Sequence, residues 1–191
     1  MANQVGNYSL YISLIASIYL IFKSFKLSKR SSKNLDSKIF SVLSIQTAMV
    51  LISFFSLIYV FIISDFSNET VYNNSHTTKP LLYKISGSWG NHEGSLLLWL
   101  LVLNIFLFIF LIKSQKQSNN YRLLTVLFQE IIIFGFLLFI LLTSNPFTNL
   151  YPIPKEGTGL NPILQDPALA IHPPVLYLGY VGTSIVYSSS L

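Results

Sequence analysis

The chain predicts an all-α integral membrane protein, and three observations carry that reading. Apolar residues make up 52% of the 191 and charged residues only 10%, a balance far from that of an ordinary soluble domain. Five apolar runs, at 8–25, 40–63, 96–112, 123–142 and 174–191, approach or exceed the roughly 20 helical residues that cross hydrocarbon. The runs are continuous in Leu, Ile and Phe, without the alternation of a membrane barrel, so helices are the spanning form that satisfies the backbone.

The first run follows residues 1–7, which lack the basic flank of a secretory signal. No Arg-rich presequence is visible, so the run is expected to remain as a membrane helix. Lys23, Lys26, Lys29, Arg30, Lys33 and Lys38 then stand against a single acid, Asp36. Such an excess of basic residues marks an inner loop. The second run carries Ser41, Ser44, Gln46, Thr47, Ser53 and Ser56, small or polar groups that suit close helix contacts. Segment 64–79 is rich in Asn, Ser and Thr and is expected to be exposed and mobile, with His76 a solvated loop residue. Its two Asn-X-Ser/Thr matches, at Asn68 and Asn73, read as chance in so biased a stretch.

After the third run, Lys113, Lys116 and Arg122 define a second inner loop. The fourth run holds Gln129 and Glu130. A carboxylate at that depth is expected to snorkel to the inner surface or to pair with another subunit, with proton or ion handling as the alternative. The loops at 64–95 and 143–173 then face outward, as does the N-terminus, and carry short interfacial helices. His76, His92 and His172 consequently share the outer side. The fifth run closes on Ser188-Ser-Ser-Leu191 without basic residues. With no internal repeat or long flexible tract, residues 1–191 read as a single membrane domain, either truncated or one piece of a larger bundle.

Charge and cysteine usage remove further classes. The formal charge is +5, but nine of the twelve basic residues fall in the two inner loops, where topology explains them, so nucleic acid is not an expected partner. The absence of cysteine excludes disulfides, thiolate metal sites and a thiol relay within the chain.

Two outer segments concentrate the candidate chemistry. The third run is preceded by Lys84-Ile-Ser-Gly-Ser-Trp-Gly-Asn-His-Glu-Gly-Ser, in which Gly87, Gly90 and Gly94 permit close backbone approach. Trp89 offers a face for a flat apolar ligand, or else serves as an interfacial anchor before a helix capped by Ser88 or Asn91. His92-Glu93 opens like a zinc-protease motif, yet Leu96 occupies the second histidine's place, so zinc proteolysis has no support. The other segment runs from Asn145-Pro-Phe through several prolines to Gln165-Asp-Pro-Ala-Leu-Ala-Ile-His-Pro-Pro-Val-Leu-Tyr. Asp166 and Pro167 suit the cap and first position of a short helix. His172 is expected just outside the helix that Pro173 and Pro174 open, because proline disfavours the α conformation of its predecessor. An imidazole presented there ligates a metal, binds an anion as a cation or shuttles protons, unless it makes only a polar capping contact.

WGNHEGSLLLW, then NPF, then GLNPILQDPALAIHPPVLYLGYVG, in this order and spacing, resemble the amino-terminal part of CcmF, the haem lyase of the multi-component cytochrome c maturation pathway. The likeness covers most of the chain from about Lys84 onward except the inner loop, and more weakly the first two runs. It is nearest to the split, mitochondrially encoded forms of plants and protists. The resemblance implies a multi-pass protein of the mitochondrial inner membrane, or of the bacterial inner membrane, that takes part in thioether formation between haem vinyl groups and apocytochrome c thiols. It implies that His172 is an external axial ligand to a b-type substrate haem, and it assigns Trp89, His92, Glu93, Pro173, Pro174 and Tyr177 to the haem-side surface. The family's tryptophan-rich WWD motif, its second external histidine and its intramembrane histidine pair are missing. The implied partners are therefore a second chain carrying the WWD motif and sharing the haem, a haem chaperone and apocytochrome c, and the chain is not expected to be catalytic alone. The other classes left open are a transporter or channel fragment, suggested by Glu130, and a structural subunit of a respiratory assembly.

Overall fold

The computed structural model describes residues 1–29, 37–162 and 165–191. Arg30, Lys33 and Asp36 of the first basic loop, and residues 163–164 of the long motif, lie outside the described residues. Helix α1 spans Ala2–Lys29, α2 Ser37–Ile62, α3 Glu69–Asn74, α4 Leu81–Gly87, α5 His92–Lys113, α6 Asn119–Thr143, α7 Pro167–Tyr180 and α8 Ser184–Ser190. A 3-10 turn, Val181–Thr183, joins the last two. The described residues contain no named strand. The chain is an all-α integral membrane protein, and among the described residues five helical stretches are long and apolar enough to cross a membrane, the fifth being Pro167–Ser190. Each of the first four contains its expected apolar run or stops one residue short of it.

Small residues decide how the first two spans meet the rest. On α1, Gly6, Ser9, Ser13, Ala16, Ser17 and Ser24 are buried at helical spacing, so backbones approach closely where large side chains would hold them apart. On α2, Gln46, Thr47 and Ser53 are buried, as its composition predicts, whereas Ser41 and Ser44 turn back to their own helix and donate to the Ser37 and Phe40 carbonyls respectively. The α5 helix supplies the centre of the core, with Leu97, Leu100, Leu103 and Leu107 buried.

Gln129 and Glu130 reach in two directions from α6. Gln129 donates to Ser184 Oγ at 3.0 Å and accepts from Ser188 at 2.7 Å, which ties α8 to the bundle. Glu130, fully buried, accepts from Ser17 at 2.8 Å and from Gln46 at 3.1 Å. The expectation that it snorkels or pairs with another subunit is corrected, because α1 and α2 bring donors to it within the chain. Arg122, expected as one of the basic residues of the second inner loop, falls inside α6. It is buried in the first turn of α6 and donates to the Leu111 carbonyl and to Ser114, satisfying groups at the C-terminal end of α5.

The segment expected to be mobile is packed. Asn68, Thr70, Val71 and Ser75 are buried, and Asn68 caps α3 through the Val71 amide. Asn68 Nδ2 also donates to Asn3 Oδ1 and the Pro146 carbonyl, while Asn3 Nδ2 donates to Asn149 Oδ1 and the Phe147 carbonyl. The N-terminus of α1 and both long loops are thereby fastened at one end of the bundle, hereafter the loop end. Further out, Glu156 accepts from the hydroxyl and amide of Thr77. Those bonds, the hydroxyl's first, hold its carboxyl below the usual range, with half-buried His76 3.8 Å away.

Candidate functional site

The site residues nominated by sequence gather at the loop end on both sides of the α5 start. Asn91 caps that helix, its Oδ1 accepting from the Gly94 amide at 2.7 Å, which satisfies one of the orphan donors of the first turn. Gly94 is needed there for another reason: a Cβ at this position would lie 1.7 Å from the Ser88 carbonyl oxygen. The glycine lets α4 end directly against the start of α5 and so sets where Trp89, His92 and Glu93 point.

Trp89 turns toward α7. Its ring stacks on Phe54, with centroids 6.4 Å apart and planes 19° from parallel, and its Nε1 donates to the Ala170 carbonyl at 2.8 Å. This bond compensates one of the two prolines inside the helix. Pro174 lacks the N–H that would bond Ala170 O four residues back, and the indole N–H takes its place. The expectation for His172 is corrected accordingly: α7 begins at Pro167 and continues through Pro173 and Pro174, so His172 lies within the helix and not ahead of it. Upstream nucleation outweighs the local preference. Asp166 Oδ1 accepts from both Ala168 and Leu169 amides, and Pro167 takes the first helical position.

The imidazole is nonetheless presented. Ala170 and Val181 are buried and Pro174 and Tyr177 half-buried on one side of α7 and the following turn, whereas His172, Leu176, Gly179 and Thr183 are exposed. At 3.6 residues per turn these are opposite faces, so His172 points away from the bundle. Tyr177 belongs to the inward face and meets Trp99 edge-on at 5.5 Å; Trp99 also contacts Phe136 and Tyr180.

His92 and Glu93 go elsewhere. His92 Nε2 lies 3.1 Å from Ser144 Oγ, and the ring meets Phe139 edge-on. Below it, Leu96, Ile132, Gly135 and Phe136 line an apolar crevice of about 430 Å3 between α5 and α6. Glu93 lines a polar hollow of about 210 Å3 with Glu69, Asn73 and Asn145. Trp89, Pro173, Pro174 and Tyr177 are thus associated with the His172 helix, while His92 and Glu93 face α6 and the loop after it.

Sequence reasoning missed the Trp89–Ala170 bond, the Glu130 cluster and the Trp99 aromatic group. The signal for the second was a carboxyl beside an amide in an apolar run, with serines at helical spacing on α1. The Trp99 group had no distinguishing signal among so many aromatics.

Trp89→Phe tests the proline compensation. It keeps the ring against Phe54 but orphans the Ala170 carbonyl, and the expected loss is about 1 kcal/mol for a half-buried hydrogen bond. A lowered thermal midpoint of the solubilised protein reads it; an unchanged midpoint would show the bond to be dispensable.

Among the described residues, five helical stretches long and apolar enough to cross a membrane define a multi-pass helical membrane protein. The family model described as Cytochrome C assembly protein matches residues 89–191, and the chain belongs to that family. It is 42% identical over 98% of its length to cytochrome c-type biogenesis protein CycK of Rhizobium meliloti, and 40% and 37% identical over its whole length to the CcmF proteins of Haemophilus influenzae and Escherichia coli. It covers 28%, 30% and 30% of those relatives, so it spans less than a third of their length. A solved structure, Cytochrome c Heme Lyase CcmF, has the same fold over 98% of this chain and 29% of its own, with a TM-score of 0.81 at 22% identity.

Proposed function

We propose that this chain is the amino-terminal subunit of a cytochrome c haem lyase, and that His172 is an axial ligand to the substrate haem. The reading rests above all on the exposed His172 ring, carried on the outward face of a helix whose start is set by Asp166 and Pro167 and whose proline step is braced by Trp89. A neutral imidazole supplies a nitrogen lone pair to iron, and the exposed apolar residues Ile171, Val175 and Leu176 flank it where a flat macrocycle would rest. The residues present fit one axial position and one side of a haem. The other position and the rest of the platform fall to a partner chain with the WWD motif.

In this scheme the chain binds and orients, and thioether formation takes place on the completed assembly with a haem chaperone and apocytochrome c as further partners. Of the remaining nominated residues, Trp89, Pro173, Pro174 and Tyr177 support the α7 helix, whereas His92 and Glu93 offer a second polar surface beside it. The loop end faces the outer side of an energy-transducing membrane, taken as the mitochondrial inner membrane from the likeness to split organellar forms. The relatives named above are bacterial, and the same topology serves a bacterial inner membrane.

His172→Ala, introduced into the native assembly, is expected to lower haem content by roughly tenfold or more, the effect of losing an axial bond worth at least about 1.4 kcal/mol. Membrane insertion and subunit recovery stay unchanged. Absorption spectra of the purified assembly and identification of its polypeptides read both outcomes. Unaltered haem content and unaltered cytochrome c maturation would reject the ligand role.

A further inference from the structure

We infer that the outward face of α7, headed by His172 and centred on Gly179, seats a transmembrane helix of the partner chain that carries the remainder of the lyase. The inference rests on the reading of this chain as one subunit of such an enzyme, and it locates where the two subunits meet.

The fifth span is the least covered of the five. In its apolar window 17% of residues are buried, against 39% to 50% in the other four. Its inward side packs on α5 through Tyr177 and Trp99, and at Gly182 the chain passes so close to Phe106 that a Cβ would lie 2.6 Å from the ring. Gly182 is thus accounted for within the chain. Gly179 is not: as at Gly135 of α6, a Cβ there would meet nothing within 4 Å and its φ lies outside the positive range that favours glycine, but unlike Gly135 it lies on the span that is least covered. Glycine inside a helix lowers helix stability relative to alanine, so neither local geometry nor internal packing explains the residue. Close approach by an external helix does, because a missing side chain lets two backbones come together where packing drives association.

The occupant follows from the face and from the length of the relatives. Leu176, Gly179, Thr183 and Val186 are exposed along it without a charged side chain, which fits an apolar helix and not a soluble domain. The relatives are more than three times as long as the part this chain covers, so a protein of that length holds further segments beyond the matched part that can supply the helix. His172 lies seven residues before Gly179, two helical turns above it on the same face. A helix crossing at Gly179 therefore runs directly beneath the proposed haem ligand, where it would bring the partner's contribution to the same haem.

The absence of native cysteine permits a direct test in native membranes. Gly179→Cys, labelled with a maleimide–benzophenone probe and irradiated, is expected to form an adduct with a polypeptide that mass spectrometry assigns to the region of the same relatives beyond the part matched by this chain. Phe22→Cys, on the exposed side of α1, is expected to give none. In unlabelled membranes, Gly179→Leu should lower recovery of that polypeptide with this chain at least tenfold and Gly179→Ala only slightly, because the open space leaves the chain itself able to fold. Adducts confined to lipid or to a second copy of this chain, or full recovery with Gly179→Leu, would overturn the docking site. A retained adduct with haem content indifferent to His172→Ala would instead reject the ligand role and leave the docking surface standing.

Discussion

Gly94→Ala is expected to unseat the start of α5 and to cost the folded chain about 3 kcal/mol or more, the upper part of the range for overpacking. The added methyl would stand 1.7 Å from the Ser88 carbonyl oxygen and 2.8 Å from its carbon. Both are backbone atoms, so no rotamer change relieves the contact. The last turn of α4 must move away from α5, and Asn91, whose Oδ1 would be 3.2 Å from the new carbon, must move with it. The displacement reaches the site because Trp89 leaves that turn to bond Ala170. Two readouts follow. The thermal midpoint of the purified protein falls, and the environment of Trp89 changes in a Trp99→Phe background that isolates its fluorescence. A variant with the wild-type midpoint and emission would show that α4 and α5 are not locked as described.

How much of this was legible beforehand depended on the range of the interaction. The five spans were legible because continuous hydrophobicity is a local property and lipid leaves helices as the way to satisfy the backbone. The Asp166–Pro167 helix start and the close approach at Gly94 were legible because capping and glycine geometry act within a few residues. His172 was nominated correctly as exposed but placed wrongly with respect to its helix. The local rule for a residue before proline is sound; it was outweighed by the helix start at Asp166 and Pro167, and the Ala170 carbonyl left open by Pro174 is met by Trp89, 81 residues from Ala170 in sequence, which no local pattern reveals. The same limit applies to Glu130. Its burial was readable as a difficulty, but not the remedy, since Ser17 and Gln46 lie 113 and 84 residues away. Composition misled in segment 64–79, where Asn68, in a tract whose composition suggests solvation, forms buried amide bonds.

Asn68→Ala carries the other large expected effect, about 3–5 kcal/mol from one lost helix cap and two buried acceptors left unpaired. The Asn68 amide reaches Asn3 Oδ1 at 2.6 Å and the Pro146 carbonyl at 2.8 Å, while its oxygen takes the Val71 amide at 2.9 Å. Alanine removes all three bonds and separates the first long loop from both α1 and the second loop. Asn68→Asp discriminates between the two jobs. Its carboxylate still caps α3, yet it turns oxygen instead of N–H toward Asn3 and Pro146, in a position with no solvent exposure. If the cap dominates, Asp behaves like Asn; if the inter-loop bonds dominate, it is at least as damaging as Ala, which is the outcome expected because two of the three bonds need the donor. Thermal unfolding ranks the variants, and hydrogen exchange at the Glu69 and Leu150 amides, which bond Thr148 O and Ser67 O across the same junction, shows whether the loops part. Slow exchange retained at both amides in Asn68→Ala would refute the clasp, because these bonds lie immediately beside the asparagine that is meant to hold them shut.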